Sequence, residues 1–437
     1  MTPKRMLPGI GAAVAVGLLL TACSSDADPD TTTPETSDDA APAGDPVDLR
    51  MTIWTSNEDH LALFNEIADD YIASHDDVAS VTFDSLPFDD YTSTVTTQIA
   101  GGSAPDLAWV LENTAPDFVE SGALMGLNET LQSTDGYEFD DLAAGATGLW
   151  LEGDELMAYP FSTSPFVMFV NNDMLAEAGL PSGAEMLADG SWTWEDVDAA
   201  GATVREATGN AGFVVRDFEY LNWDFLSTVW NGWGAAPWSD DGSMCTFADP
   251  EMVDAFEFLH GAAFDSQSMP GPGTSADFFA GESAMTITQI SRANLLEEGG
   301  FAWDLLPLPS GPAGEYSVTG QAGIGVLAQG ENPQVAANFL AFFSNPANAE
   351  KLAAFFPPPR ESLLNAEVLS AANPLLTPEQ IENVVVPGIA TGEVRPSHTG
   401  AAEIGQQVRS SLDAIWTEDA DIEAVLQSTC AAIEPLL

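Results

Sequence analysis

The sequence predicts an α/β protein built around a largely parallel sheet, and two observations carry that prediction. Strand-period and helix-period apolar patterns alternate along the chain, and the apolar payload is large: 45% of the 437 residues are hydrophobic, including 23 Phe and 11 Trp. That is enough to bury sizeable cores, and at this length two or more domains are expected. Leu49, Met51 and Ile53 alternate as in a strand; Leu61, Phe64, Ile67, Ala68, Tyr71 and Ile72 then recur at helical spacing. A strand over Val78–Phe83, a helix over Tyr91–Ala100 and a strand over Asp106–Leu111 complete a β-α-β-α-β order, the pattern of a parallel sheet covered by helices. A second α/β region begins with an apolar run from Leu156 to Asn171. Helices open in it at Thr193-Trp-Glu-Asp196 and at Asp249-Pro-Glu251, where Asp caps and Pro takes the first turn; Asn332-Pro333 starts another. The last eighty or so residues read as successive helices with no clear strand. Gly320-Gln-Ala-Gly-Ile-Gly325 has the wrong order for a dinucleotide fingerprint and reads as a turn before an apolar strand-like run.

Charge narrows the function. With 68 Asp or Glu against 10 Lys or Arg, the net charge is −58. A nucleic-acid backbone would repel such a field, and no Lys/Arg-rich run opposes it locally, so nucleic-acid binding is excluded. The acid excess also suggests adaptation to high salt, where screening relieves self-repulsion. The N-terminus sets the compartment. Lys4 and Arg5 precede an uncharged apolar stretch from Gly9 to Leu20, too short to span a bilayer, as in a secretory signal over residues 1–22. Leu20-Thr21-Ala22-Cys23 resembles the lipobox of bacterial lipoproteins, which implies cleavage before Cys23 and acylation of its sulfur. Residues 24–46 hold seven acids, no base and no large apolar side chain. They read as a tether from the lipidated Cys23, with a root-mean-square span of about 25 Å. The expected location is the extracytoplasmic face of the cell membrane, held by the lipid anchor.

Catalytic signatures fail one after another. Only Lys4 and Lys351 exist and neither follows Gly, so there is no Walker A loop; GxSxG and HExxH are absent, and the four His lie far apart. No metal site and no cofactor are expected. Acid pairs such as Glu58-Asp59, Asp89-Asp90 and Asp240-Asp241 could serve a glycosidase, but with 68 acids such pairs arise by chance and read as solvated surface.

Three segments carry a family resemblance. The first is Trp54-Thr-Ser-Asn-Glu58 after a strand, followed by Gln98-Ile-Ala-Gly-Gly-Ser-Ala-Pro-Asp-Leu107. The second is Glu155-Leu-Met-Ala-Tyr-Pro160 with Phe169-Val-Asn-Asn-Asp-Met-Leu-Ala-Glu-Ala-Gly-Leu180 and Ser191-Trp-Thr-Trp-Glu195. The third is Phe278-Phe-Ala-Gly-Glu-Ser-Ala-Met-Thr-Ile287, then Trp303-Asp-Leu-Leu-Pro-Leu-Pro309 and Asn332-Pro-Gln-Val-Ala-Ala-Asn-Phe-Leu340. In this order they resemble bacterial extracellular solute-binding proteins of the carbohydrate-importing ABC type, related to maltodextrin-binding proteins. The resemblance implies a monomeric periplasmic-binding-protein-like fold, with two α/β lobes closing on a sugar and presenting it to permease subunits in the membrane. It places lobe one at 47–161 plus 305–345 and lobe two at 162–304 plus 346–437, with crossings near Pro160–Ser164, Asp304–Leu308 and Ser344–Pro346.

Sugar binding needs planar polar groups for vicinal hydroxyls and aromatic faces for the apolar side of the ring. Trp54, Asn57 and Glu58 follow the first strand, at the carboxyl end where ligands lie in open α/β sheets. Glu112 and Asn113 end the third strand at the family's usual ligand loop, while Asp106 reads as structural. Trp223 and Asp224 stand out in an aromatic-dense stretch, although Trp223, Leu226 and Trp230 also share a helical face. Gln289 and Arg292 follow the strand Ala284–Ile287, where the family often has an aromatic that this chain lacks. Gly320 and Gln321 are candidates for the cleft wall, as is Arg360 after Pro357-Pro-Pro359. With Cys23 acylated, Cys245 and Cys430 remain for a disulfide, both in lobe two. Two other classes stay open: an exported glycoside-processing enzyme, and a binding protein for another solute such as a polyamine, whose cleft would be lined with acids. Loss of Trp223 should weaken sugar binding strongly and leave polyamine binding governed by salt.

Overall fold

A computed structural model describes residues 45–437 apart from 191, 217–219, 272 and 299. The signal sequence, Cys23 and the tether to Gly44 lie outside the described residues. Among the described residues no helix is long and apolar enough to cross a membrane.

The β-α-β-α-β opening forms as its periodicity dictates. Strands β1 (Val47–Ile53), β2 (Val78–Ser85) and β3 (Leu107–Leu111) are connected through helices α1 (Glu58–Ser74) and α2 (Tyr91–Ala100). Both β2 and β3 pair with β1 in parallel, the arrangement that crossover helices impose. Asp106 is structural, as its position suggests: its carboxylate accepts the Arg50 backbone N–H at 2.9 Å and ties β1 to the start of β3.

The second region starts with the long strand β4 (Ala158–Asn171), followed by helix α3 (Trp194–Thr208), strand β5 (Ala211–Val215) and helix α4 (Pro250–Phe264). Thr193 and Asp196 close a reciprocal capping box at the α3 start. Asp249 and Asn332 occupy the cap positions of α4 and of the later helix α5 (Pro333–Phe343), but neither side chain makes the capping hydrogen bond. Strands β6 (Ser283–Gln289), β7 (Trp303–Leu306), β8 (Val318–Val326) and β9 (Glu393–Val394) complete the sheet. Its order is β2-β1-β3-β8-β4-β6-β5, with β9 beside β8 and β7 beside β4.

One strand joins the two halves. From Ala158 to Pro165, β4 runs antiparallel to β8; from Phe166 to Asn171 it pairs instead with β6 and β7. Proline lacks the N–H that a continuing ladder needs, and Pro165 stands where the strand changes partners. Beyond it Phe166, Met168 and Val170 enter one core while Val167 and Phe169 enter another, so this half is buried on both faces. The other large core gathers β1, β3, the first half of β4 and the second half of β8.

Two sequence expectations shift. The sequence reading assigns residues 305–318 to the first lobe, yet Leu306, Leu308 and Val318 pack into the second core, because β7 bonds to the far half of β4; the return to the first core comes at Ala322. Leu352 in turn still packs in the first core, beyond the expected crossing at Ser344–Pro346. The Gly320–Gly325 segment is the middle of β8 and not a turn. Its glycines are there for space, since a Cβ at Gly323 would lie 2.8 Å from the Trp150 ring and one at Gly325 2.6 Å from Leu124. The C-terminal stretch is helical except for β9, a two-residue strand that apolar periodicity could not announce.

Candidate functional site

A cavity of about 370 Å³ opens where the carboxyl ends of β1, β3, β5 and β6 meet the change of partners in β4. Its walls differ in chemistry. On one side Trp54 follows β1, and Phe161 lies in the first half of β4; Trp54 packs edge-on against Trp109 at 4.7 Å and Tyr91 at 5.1 Å, and Phe161 stacks on Trp109 at 4.5 Å. Phe88, Phe355 and Phe356 extend this wall, and Phe88 is 44% exposed at the mouth. His60 lies 4.5 Å and 4.9 Å from the Phe355 and Phe356 rings. Burial pushes its imidazole below the ordinary value, partly opposed by the Asp59 carboxylate.

The lining also carries polar side chains among apolar ones such as Leu369, Leu376 and Val385. Gln289 ends β6, Arg292 and Asn294 come from the turns after it, and Arg216 directly follows β5. At the floor lie Gly320 and Gln321 of β8, with Ser162 and Ser164 of β4. Gln321 accepts the Trp150 indole N–H at 3.1 Å and donates to the Gly145 carbonyl at 3.0 Å, which fixes its amide. A Cβ on Gly320 would reach Gln289 Nε2 at 3.3 Å and Glu112 Oε1 at 3.4 Å, so a side chain there would crowd the floor.

The electrostatic centre of the site is Arg395, just past β9. Its Nε donates to Glu112 Oε1 at 2.8 Å, Nη2 donates to the same oxygen, and Nη1 donates to Asp224 Oδ2 at 2.7 Å. The guanidinium lies 4.1 Å over the Phe225 ring. All three charges are buried. Burial alone would lower the guanidinium, but Asp224 and Glu112 outweigh it and hold its proton more tightly than usual. Glu112 directly follows β3 of the first core, whereas Asp224 is followed by Phe225 and Leu226 of the second, so one arginine ties the two halves beside the cavity.

Of the twelve sequence candidates, Trp54, Glu112, Gln289, Arg292, Gly320 and Gln321 line this cavity. The other six do not. Asn57 caps α1, accepting the Asp59 and His60 backbone N–H groups, and Glu58 is exposed in the first turn. Asn113 does not line the cavity, and its Oδ1 is buried without a hydrogen-bond partner. Trp223 is a core residue, stacked on Trp230 at 6.0 Å and edge-on to Trp238, as the helical-face pattern allowed. Asp224 reaches the site only through Arg395. Arg360 is fully buried elsewhere, donating to the Ser344 and Glu138 carbonyls, paired with Asp141 at 3.6 Å and set over the Tyr137 ring. Sequence reading passed over Arg395 and Arg216. Their signal was the scarcity of bases, the same reasoning that led to Arg360, but only the fold shows which arginines face the cleft. Cys245 and Cys430 form a disulfide, with Cα atoms 5.3 Å apart, and both pack against the second core.

Comparison with known proteins agrees with the fold. Residues 66–378 match the family described as "Bacterial extracellular solute-binding protein". A curated relative, "Uncharacterized lipoprotein in oleD 5'region" of Streptomyces antibioticus, is 24% identical over 331 residues, covering 72% of this chain and 70% of the relative. Among solved structures, an ABC substrate-binding protein from Listeria monocytogenes in complex with cycloalternan superposes with a TM-score of 0.77 at 22% identity, over 90% of this chain and 99% of that one. Maltose-bound MalE3 of T. maritima gives 0.74 at 18% identity, over 89% and 100%. The chain therefore shares their two-lobed fold.

Proposed function

Because this chain belongs to the bacterial extracellular solute-binding protein family, we propose that it is the substrate-capturing subunit of a carbohydrate ABC importer. It works as a monomeric lipoprotein, acylated at Cys23 and held on the extracytoplasmic face of the cell membrane by the 24–46 tether. The observation that carries the reading is the mixed lining of the cavity, which brings Trp54, Phe88 and Phe161 together with Gln289, Arg292 and Asn294. An aromatic wall packs against the C–H face of a sugar ring, and amide and guanidinium groups bond its hydroxyls. The solved relatives with cycloalternan and maltose bound give the same direction.

Closure follows from the strand that joins the halves. The lobes meet at β4 near Pro165 and along β8 between Val318 and Ala322. A sugar touching both walls binds the closed arrangement more tightly than an open one and shifts the population toward it. The closed form is what the permease would read, and ATP hydrolysis would belong to a separate subunit. The competing classes fit less well. Glycoside hydrolysis in its common form uses two carboxyl groups, and among the described residues the lining supplies Glu112 alone, already paired with Arg395. A polyamine site would be lined with acids, whereas the charged residues that line this cavity among the described residues are three arginines and one carboxylate.

A thermal-shift screen against mono- and oligosaccharides, with amino acids and polyamines as controls, tests the reading. A ligand at a hundredfold its Kd stabilises the native state by about 2.7 kcal/mol. A sugar that raises the melting temperature and is recovered unaltered is the expected result. A sugar consumed during the assay would mean an enzyme, and shifts with polyamines alone would mean the right fold with the wrong ligand.

A further inference from the structure

We infer that the ligand is a glycoside with an apolar aglycone, a sugar joined through its anomeric oxygen to an alkyl chain or an aryl ring, and that residues 353–385 hold the aglycone. This rests on the importer reading and names the substrate class of the same cavity. The first ground is the chemistry of that stretch. Residues 353–357, Leu369, 373–376 and Val385 line the cavity, and Asn373 is the one polar side chain among them. Its Oδ1 is already engaged, accepting the Leu375 backbone N–H at 3.2 Å. The backbone donors are engaged as well. The N–H groups of Ala353, Ala354, Phe355 and Phe356 donate to the carbonyls of 349, 351 and 352, and those of Leu369 and Leu376 donate to the carbonyls of Asn365 and Asn373. Pro357 and Pro374 have no N–H, and the Pro357 carbonyl accepts from Thr163 at 3.0 Å. A sugar carries hydroxyls around its whole rim, and a hydroxyl taken out of water needs a partner. This surface supplies the Asn373 amide and little else, whereas an alkyl chain or an aryl ring asks for no partner.

The second ground is continuity with the sugar's stacking face. The Trp54 ring lies 6.4 Å from Phe161, Phe161 lies 5.2 Å from Phe356, and Phe356 lies 6.3 Å from Phe355. The aromatic surface therefore runs unbroken into residues 353–357. From there it turns aliphatic, because Ala353 packs in one cluster with Ile290, Leu369, Leu376 and Val385, all of which line the cavity. Branched aliphatic side chains lack the flat face on which a sugar ring stacks, but they receive methylene and aryl groups well. Being part of a packed core, they are in place before a ligand arrives, so binding pays little to order them. Leu375 and Phe355 are only half-buried, which leaves the surface open to the cavity. Gln289, Asn294 and Ser162 come from other segments and supply polar groups for the sugar. A molecule with one hydroxylated end and one apolar end matches that division.

Calorimetric titration of the full-length protein tests this. The probes are methyl, butyl, hexyl and phenyl glycosides of glucose, galactose and maltose in both anomers, with the free sugars, butanol and phenol as controls. Each methylene withdrawn from water is worth about fourfold in affinity, so for the sugar that binds, the butyl glycoside should bind about 60-fold more tightly than the methyl glycoside. Its heat-capacity change should also be more negative. A phenyl glycoside tighter than the hexyl one identifies an aryl ring as the aglycone, and the reverse order an alkyl chain. L375S and F355S should each reduce the butyl-to-methyl ratio about fivefold or more, while W54A weakens both members and leaves their ratio standing. Melting of the ligand-free variants checks that they fold, and two separate positions keep the test open if one does not. Butyl and phenyl glycosides that bind within about threefold of the methyl glycoside, or a ratio unchanged in both Ser variants, would overturn the inference and leave the importer reading standing. Butanol or phenol binding as tightly as its glycoside would overturn both, as would a panel in which nothing binds.

Discussion

Replacing Arg395 with Ala removes the cation from a buried cluster and leaves two carboxylates behind. In the wild type, Arg395 is 7% exposed and Glu112 and Asp224 are 2% and 5% exposed, so water cannot take over the lost partner. Removing one partner of a buried pair costs about 3–5 kcal/mol. Two pairs share this one cation, so their costs are not additive, and about 4 kcal/mol is the expected total. For a folded body the size of residues 45–437, with unfolding entropy near 2 cal/mol/K per residue, that lowers the melting temperature by about 5 °C. Differential scanning calorimetry of R395A reads this directly. The triple variant R395M/E112Q/D224N removes all three charges and keeps their volumes, and it should recover most of the loss because a neutral cluster has no unpaired charge to solvate. An R395A melting temperature within 1 °C of wild type would refute the reasoning, as would a triple variant less stable than R395A.

Three further outcomes follow from the site and the composition. G320A places a methyl 3.3 Å from the Gln289 amide and 3.4 Å from Glu112 on the cavity floor, so ligand affinity should fall about tenfold, or 1.4 kcal/mol, with little change in the ligand-free melting temperature; unchanged affinity would mean that the ligand does not reach the floor. Burial lowers the His60 imidazole below its ordinary 6.5, so the unfolded chain takes up that proton first as the pH drops. The stability His60 contributes is complete above pH 6.5 and is lost as the pH falls through the folded value; melting curves of wild type and H60Q should therefore converge between pH 7 and pH 5, and curves that stay parallel would deny the shift. With a net charge of −58, the melting temperature should rise from 0.1 M to 1 M NaCl as the Debye length falls from about 10 Å to about 3 Å, and a flat response would show that self-repulsion is unimportant.

The sequence made the framework readable because its signals are local and periodic. Leu49, Met51 and Ile53 alternate and become the inner face of β1, and Thr193-Trp-Glu-Asp196 caps α3 because a capping box needs only four residues. The site was legible where a residue directly follows a strand that periodicity reveals, as for Trp54, Glu112 and Gln289. It was hidden where position depends on distant partners. Arg395 follows a two-residue strand whose partner, Val318–Thr319, lies some seventy residues earlier. Trp223 and Arg360 misled for a related reason: an aromatic stripe and a lone arginine look alike in sequence whether they face a cleft or fill a core. The β8 glycines read as a turn, yet they make room for Trp150 and Leu124.

The central claim is that the cavity beside β4 binds a saccharide reversibly, with Trp54 as its stacking face. The most direct test is calorimetric titration of wild type and W54A with the sugar found in the thermal screen, followed by recovery of that sugar. Wild type should bind one molecule per chain and return it intact, and W54A should bind at least tenfold more weakly, about 1.4 kcal/mol, because the ring loses its apolar partner. Equal affinity in the two proteins, or sugar returned cleaved, would contradict it.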